Sequence, residues 1–204
     1  MHGHLFNPVS FVITLREVLF SPAATFRQMM SDASLFNALL FGLIGGTVGG
    51  LFGSLWQYCA GLLWPSAAER FPALFGTSIL PVISILFIPL VNAIALFLVS
   101  AILHAGLKLA GGAHRLYPTT FKVYAYAQGA TALFGIVPVL GTLTGFVWAL
   151  AINVIGLREA HNTTTGKSAL AVLIPIVLCF TCVVLAVLVL LFLVGLNMVP
   201  WFNR

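Results

Sequence analysis

The segment TTTGKS, residues 163–168, ends as a phosphate-cradling loop ends, with a lysine for a phosphate and a hydroxyl for magnesium. The complete pattern requires a glycine five positions before Gly166, and that position is His161. Such a loop also follows a strand in polar surroundings, whereas this one is a short link between two apolar stretches. Nucleotide chemistry is therefore set aside. Cys179 and Cys182 form a CxxC inside an apolar run. A zinc site needs two more ligands nearby and a redox pair needs access to partners, so packing is the expected role. With Cys59 as the third cysteine, no disulfide framework is expected. His2, His4, His104, His114 and His161 all map to one side of the topology derived below. A weak metal site there is the alternative to scattered surface histidines; no metal and no cofactor is expected.

Catalysis has no visible residues. The four acids, Glu17, Asp32, Glu69 and Glu159, fall outside the apolar stretches, whereas proton and cation relays place ionisable groups inside them. No serine–histidine or paired-carboxylate arrangement supports an enzyme. Inside the apolar stretches, Asn92 and Gln128 sit near the middle of theirs, and Asn153 lies towards the end of its own. Asn92 and Gln128 can bond across two helices as glue, or the three side chains can line a solute path.

These residues sit in a chain that is 61% hydrophobic and 6% charged, with a mean hydropathy of +1.12. Soluble domains carry about 25% charged residues. Four charge-free gaps of 35 to 37 residues separate Asp32 from Glu69, Arg70 from Lys108, Lys122 from Arg158 and Lys167 from Arg204. A membrane-spanning helix needs about 20 residues. The chain reads as all-α, a polytopic membrane helical bundle. Spans are expected at 36–63, 78–104 and 169–195. The gap between Lys122 and Arg158 is too long for one helix and contains PVLGTLTG, where Pro138 and Gly141 signal a turn. It is read as a hairpin of two spans, 120–137 and 141–157, giving five in all.

Charge bias tests this count. With the N-terminus inside, Arg16, Arg27, Lys108, Arg115, Lys122, Arg158 and Lys167 are cytoplasmic, and Arg70 and Arg204 lie opposite. Treating the hairpin as one span weakens the bias by moving Arg158 and Lys167 outside and Arg204 inside. The +5 net charge is thus orientation bias, and no nucleic-acid partner is expected. The first 34 residues are too polar and broken for a cleavable signal. They read instead as two short amphipathic helices at the interface. One carries Phe11, Val12, Leu15, Val18 and Leu19 on a face; the other opens at Ser21-Pro22 and carries Phe26, Met29 and Met30. They lie on the cytoplasmic surface or pack against the bundle. The domain division is 1–34, then the membrane domain 35–197, then a tail 198–204.

GLIGGTVGGLFG, residues 42–53, places Gly42, Gly46, Gly49 and Gly53 on one helical face, widened by Gly45 and Gly50. Overlapping small-xxx-small pairs let helix backbones approach closely in lipid. The seam is expected to meet another span of the chain or the same span of a second copy. Pro89 and Pro175 are expected to kink their spans.

LREVLFSPAATFRQM, FKVYAYAQGATALFGIVPVLG and IGLREAHNTTTGKSALAVLIP resemble the Ypt-interacting protein (YIP) family, over most of residues 10–180. The resemblance implies five spans and a cytoplasmic N-terminus. Eukaryotic members are associated with Rab-type GTPases and with membrane shaping or trafficking. This chain lacks their long N-terminal region and resembles the compact bacterial branch, so GTPase binding is not carried over. The expected function is a non-enzymatic inner-membrane scaffold or adaptor acting through helix–helix assembly, with lipids and a second copy or another membrane protein as partners. The alternative is a small-solute or ion channel.

Overall fold

The computed structural model describes residues 8–32, 34–70 and 80–202. His2, His4 and Arg204 lie outside the described residues, as do the side chains of Met29, Met30, Asp32 and Arg70. The described residues are helical almost throughout: α1 Pro8–Phe20, α2 Pro22–Asp32, α3 Leu35–Leu63, α4 Pro65–Arg70, α5 Leu80–Leu109, α6 Tyr117–Thr131, a 3-10 turn Ala132–Ile136, α7 Leu140–His161 and α8 Thr165–Phe202. Among the described residues, four stretches are long and apolar enough to cross a membrane, Leu35–Leu63, Ile85–Leu109, Leu140–His161 and Thr165–Leu193. This is a membrane protein with several apolar helices.

The boundaries follow from local chemistry. Ser34 caps α3, its hydroxyl accepting from the Asn37 backbone N–H at 3.1 Å. Pro118 lies in the first turn of α6, where its missing N–H costs nothing. Asn162 ends α7 in the left-handed region at φ 50°, a conformation its short polar side chain tolerates. Pro89 lies inside α5, which continues through it.

The expected hairpin between Lys122 and Arg158 is present, but its first arm is not one helix. α6 has 15 residues and is followed by five residues of tighter 3-10 winding. The turn itself is built differently from the expectation. Gly141 is helical; Val139 makes the bend, at φ 57° and ψ −69°, with the Leu140 N–H donating to the Pro138 carbonyl at 2.6 Å. That is a γ-turn with positive φ, a strained conformation for a β-branched residue. Gly141 is small for packing, since a Cβ there would overlap the Phe134 carbonyl of the first arm.

The N-terminal pair is packed on the bundle. Val18 and Phe26 are fully buried, the Phe11 ring lies 4.5 Å from Phe41 of α3, and the Trp148 indole donates to the Leu19 carbonyl at 3.1 Å.

The buried core occupies one end of the molecule. It is built from the first half of α3 (Ala38, Phe41), the second half of α5 (Leu96, Leu103, Leu107), α6 (Phe121, Val123, Tyr126), the second half of α7 (Ile152, Leu157, Ala160) and the start of α8 (Ala171, Val172). Beyond Pro175, every residue of α8 from Ile176 to Leu193 is exposed.

Candidate functional site

The glycine face of α3 meets α6, the 3-10 turn and α5 of the same chain. At Gly45 a Cβ would overlap the backbone of Gly129, and at Gly49 the carbonyl of Ala132. A Cβ on Gly42 would stand 3.0 Å from the Ala125 carbonyl oxygen, and one on Gly50 2.8 Å from a methyl of Ile88. Gly46 makes room for the Asn92 amide, which a Cβ would overlap. Around Gly53 no described residue lies within 4 Å of that position. Five of the six glycines therefore line the seam and Gly53 stands clear of it.

Asn92 uses that room. Its Nδ2 donates to the carbonyls of Gly42 at 3.1 Å and Leu43 at 3.3 Å, and its Oδ1 accepts from Gln128 Nε2 at 3.5 Å. One side chain of α5 is thereby tied to backbone on α3 and to a side chain on α6. Helical carbonyls already accept i+4 bonds, and their second lone pair is free for such a donor. Asn153 is elsewhere: its Nδ2 donates to Ala149 of its own helix at 2.8 Å, and its Oδ1 is buried without a hydrogen-bond partner. The structure brings Asn92 and Gln128 together and leaves Asn153 apart.

A second polar group ties the same elements nearer the end of the bundle. His104 of α5, Thr120 of α6 and His161 of α7 are buried and hydrogen-bonded in a row. The Thr120 hydroxyl lies 2.8 Å from His104 Nδ1 and 2.9 Å from His161 Nε2. The Arg115 backbone N–H donates to His161 Nδ1 at 3.2 Å, so Nε2 carries the ring proton of the neutral imidazole. That proton goes to the Thr120 oxygen, and the hydroxyl donates in turn to His104 Nδ1. His114 Nδ1, 3.1 Å from the His161 carbonyl, closes the loop between α5 and α6 over the group. Among the described residues, no three His, Cys, Asp or Glu side chains converge on a metal position. Ser100, one turn before His104, continues the pattern with the Tyr117 hydroxyl at 2.8 Å.

Glu159 holds the N-terminal pair to α7. It accepts from Arg27 at 2.7 Å and from Arg158 at 2.6 Å.

Sequence reasoning missed the partner glycines. A Cβ on Gly129 would stand 2.7 Å from the Phe41 carbonyl, and one on Gly145 2.9 Å from the Thr131 carbonyl. Gly141 and Gly145 form a small-xxx-small pair, and that spacing was the available signal. Nothing in the spacing of His104, Thr120 and His161 announces that they meet.

No curated protein and no solved structure matches the chain. The family model of the Yip1 domain matches residues 16–196, from within α1 to the last third of α8. The α3 seam, both polar groups and the hairpin all lie inside that match. The chain belongs to the Yip1 family.

Proposed function

We propose that this protein is a non-enzymatic scaffold or adaptor of a bacterial inner membrane, with five spans, its N-terminus cytoplasmic and its C-terminus outside. α6 and its 3-10 turn serve as the third span. Together they measure about 32 Å by helical and 3-10 rise, against a hydrocarbon core of about 30 Å. They follow α3 from Phe41, whose ring is 5.1 Å from Tyr126, to Trp56, whose indole donates to the Ile136 carbonyl at 3.2 Å.

The observation that carries the scaffold reading is the exposure of α8. From Ile176 to Phe192 it is largely apolar, and among the described residues none of this stretch is buried. The glycine seam is consumed within the chain, where it makes a rigid frame, and α8 is the long surface left for a helix of another membrane protein. Association in lipid is driven by packing and interhelical hydrogen bonds.

The test is cross-linking in native membranes from single cysteines at Leu185, Leu188 and Val189 on one face of α8 and at Val187, Leu190 and Leu191 on the opposite face, with Cys59, Cys179 and Cys182 replaced by alanine. A discrete product from one face of α8 and not the opposite one is the expected result. Equal, weak labelling from all positions would remove the scaffold reading.

A further inference from the structure

We infer that the corner joining α1 to α2 is sunk into the lipid leaflet on the side of the N-terminus, with acyl chains covering its outer face. This rests on the chain crossing the membrane and not on the scaffold role. The register of α2 on α7 gives the depth. The Leu19 carbonyl meets Trp148, Phe26 packs beside Gly156, and Arg27 pairs with Glu159. α2 thus runs alongside α7 in the same direction. Trp148 and Glu159 are eleven residues apart, about 16 Å along a helix. The charged end of α2 leads within a few residues to Leu35 and Phe36, which are exposed in the first turn of α3 and require lipid at that level. The corner therefore lies about half of a 30 Å hydrocarbon core further in.

Its chemistry suits that depth. A break between two helices frees backbone polar groups, and in hydrocarbon these need partners inside the protein. Here the Ser21 N–H donates to the Glu17 carbonyl at 2.8 Å, Pro22 has no N–H, and the Thr25 N–H and hydroxyl both donate to the Ser21 carbonyl. The Leu19 carbonyl is supplied with a donor by a tryptophan from a spanning helix. The outward side chains are Val9, Val12, Ile13 and Phe20, the last 79% exposed. Leu143, Phe146 and Val147 of the spanning helix α7 are exposed as well, so the apolar surface of the corner continues one that already faces lipid. Arg16 and Glu17 are exposed on α1; the long stem of Arg16 reaches back towards headgroups, which confines the pair to one leaflet.

The test uses the full chain in phosphatidylcholine–phosphatidylglycerol vesicles, with the three native cysteines replaced by alanine. Nitroxides are placed at Val12→Cys and Phe20→Cys, with Gly166→Cys in the uncrowded first turn of α8 as the aqueous reference. Collisional relaxation by oxygen, which concentrates in hydrocarbon, is compared with that by a water-soluble nickel chelate. The expected result is an oxygen-to-nickel ratio several-fold higher at 12 and 20 than at 166. Equal ratios would overturn the inference in favour of water, and exclusion of both relaxants in favour of a covering protein. Unlabelled Phe20→Cys gives a second reading: slow reaction with an impermeant maleimide in opened vesicles is expected, and reaction as fast as Gly166→Cys would overturn it.

Discussion

Gly45 and Gly53 stand eight residues apart on one helix, in opposite surroundings. A Cβ at Gly45 has to displace the backbone of α6, and backbone in a packed seam has nowhere to go; at Gly53 a Cβ enters open space. Gly45→Ala is expected to lose about 1–3 kcal/mol, the usual cost of overpacking, read as a lowered midpoint in denaturing-detergent titration. Gly53→Ala is expected to stay within about 0.5 kcal/mol. The glycine face was legible because its signal lies along one helix. The partner of Asn92 was only half legible. Gln128 could be matched to it by depth, but the Gly42 and Leu43 carbonyls emerge only once the register of α3 against α5 is known. Asn153 shows the limit, since a polar residue at a plausible depth was grouped with two others that it does not approach.

At the scale of elements, the His104–Thr120–His161 row joins α5, α6 and α7 through a single hydroxyl. Thr120→Val keeps the shape and removes both bonds, leaving two buried ring nitrogens unpaired. The expected loss is about 1–3 kcal/mol, measured as thermal stability in lipid nanodiscs, and Thr120→Ser is expected to recover most of it. Equal stability of Thr120→Val and the parent protein would show that water replaces the hydroxyl. The element boundaries were largely readable from charge gaps and from Ser21-Pro22. The bend was not, because it rests on Val139 at positive φ and not on Gly141. A strained valine leaves no mark in a sequence, whereas a glycine invites assignment to the turn. Nor did amphipathic spacing decide whether α1 and α2 lie free or packed, since both require one apolar face; the burial of Val18 and Phe26 decides it.

For the whole molecule, the number of crossings sets where the chain ends. With α6 and the 3-10 turn as a span the termini lie on opposite sides; with the four long apolar helices alone they share one. A phosphatase that is active only outside the inner membrane, fused after Arg204, is expected to be active, and a fluorescent protein there dark. The converse pair of results would reduce the bundle to four crossings. Charge bias is the sequence signal behind the five-span expectation, because lysines and arginines record orientation whether or not the fold is known. The placement of the core at one end was not readable, since apolar residues facing lipid and apolar residues facing each other have the same composition. That placement has a mechanical consequence. The helices are clamped where α5, α6 and α7 share their polar row, and the arm of α8 from Ile176 to Leu193 projects from that end with none of its residues buried against the rest of the described chain. Bending stiffness at the free end is then borrowed from the surrounding chains, so thinning or fluidising the bilayer will swing the tip of α8 while the clamped end keeps its shape.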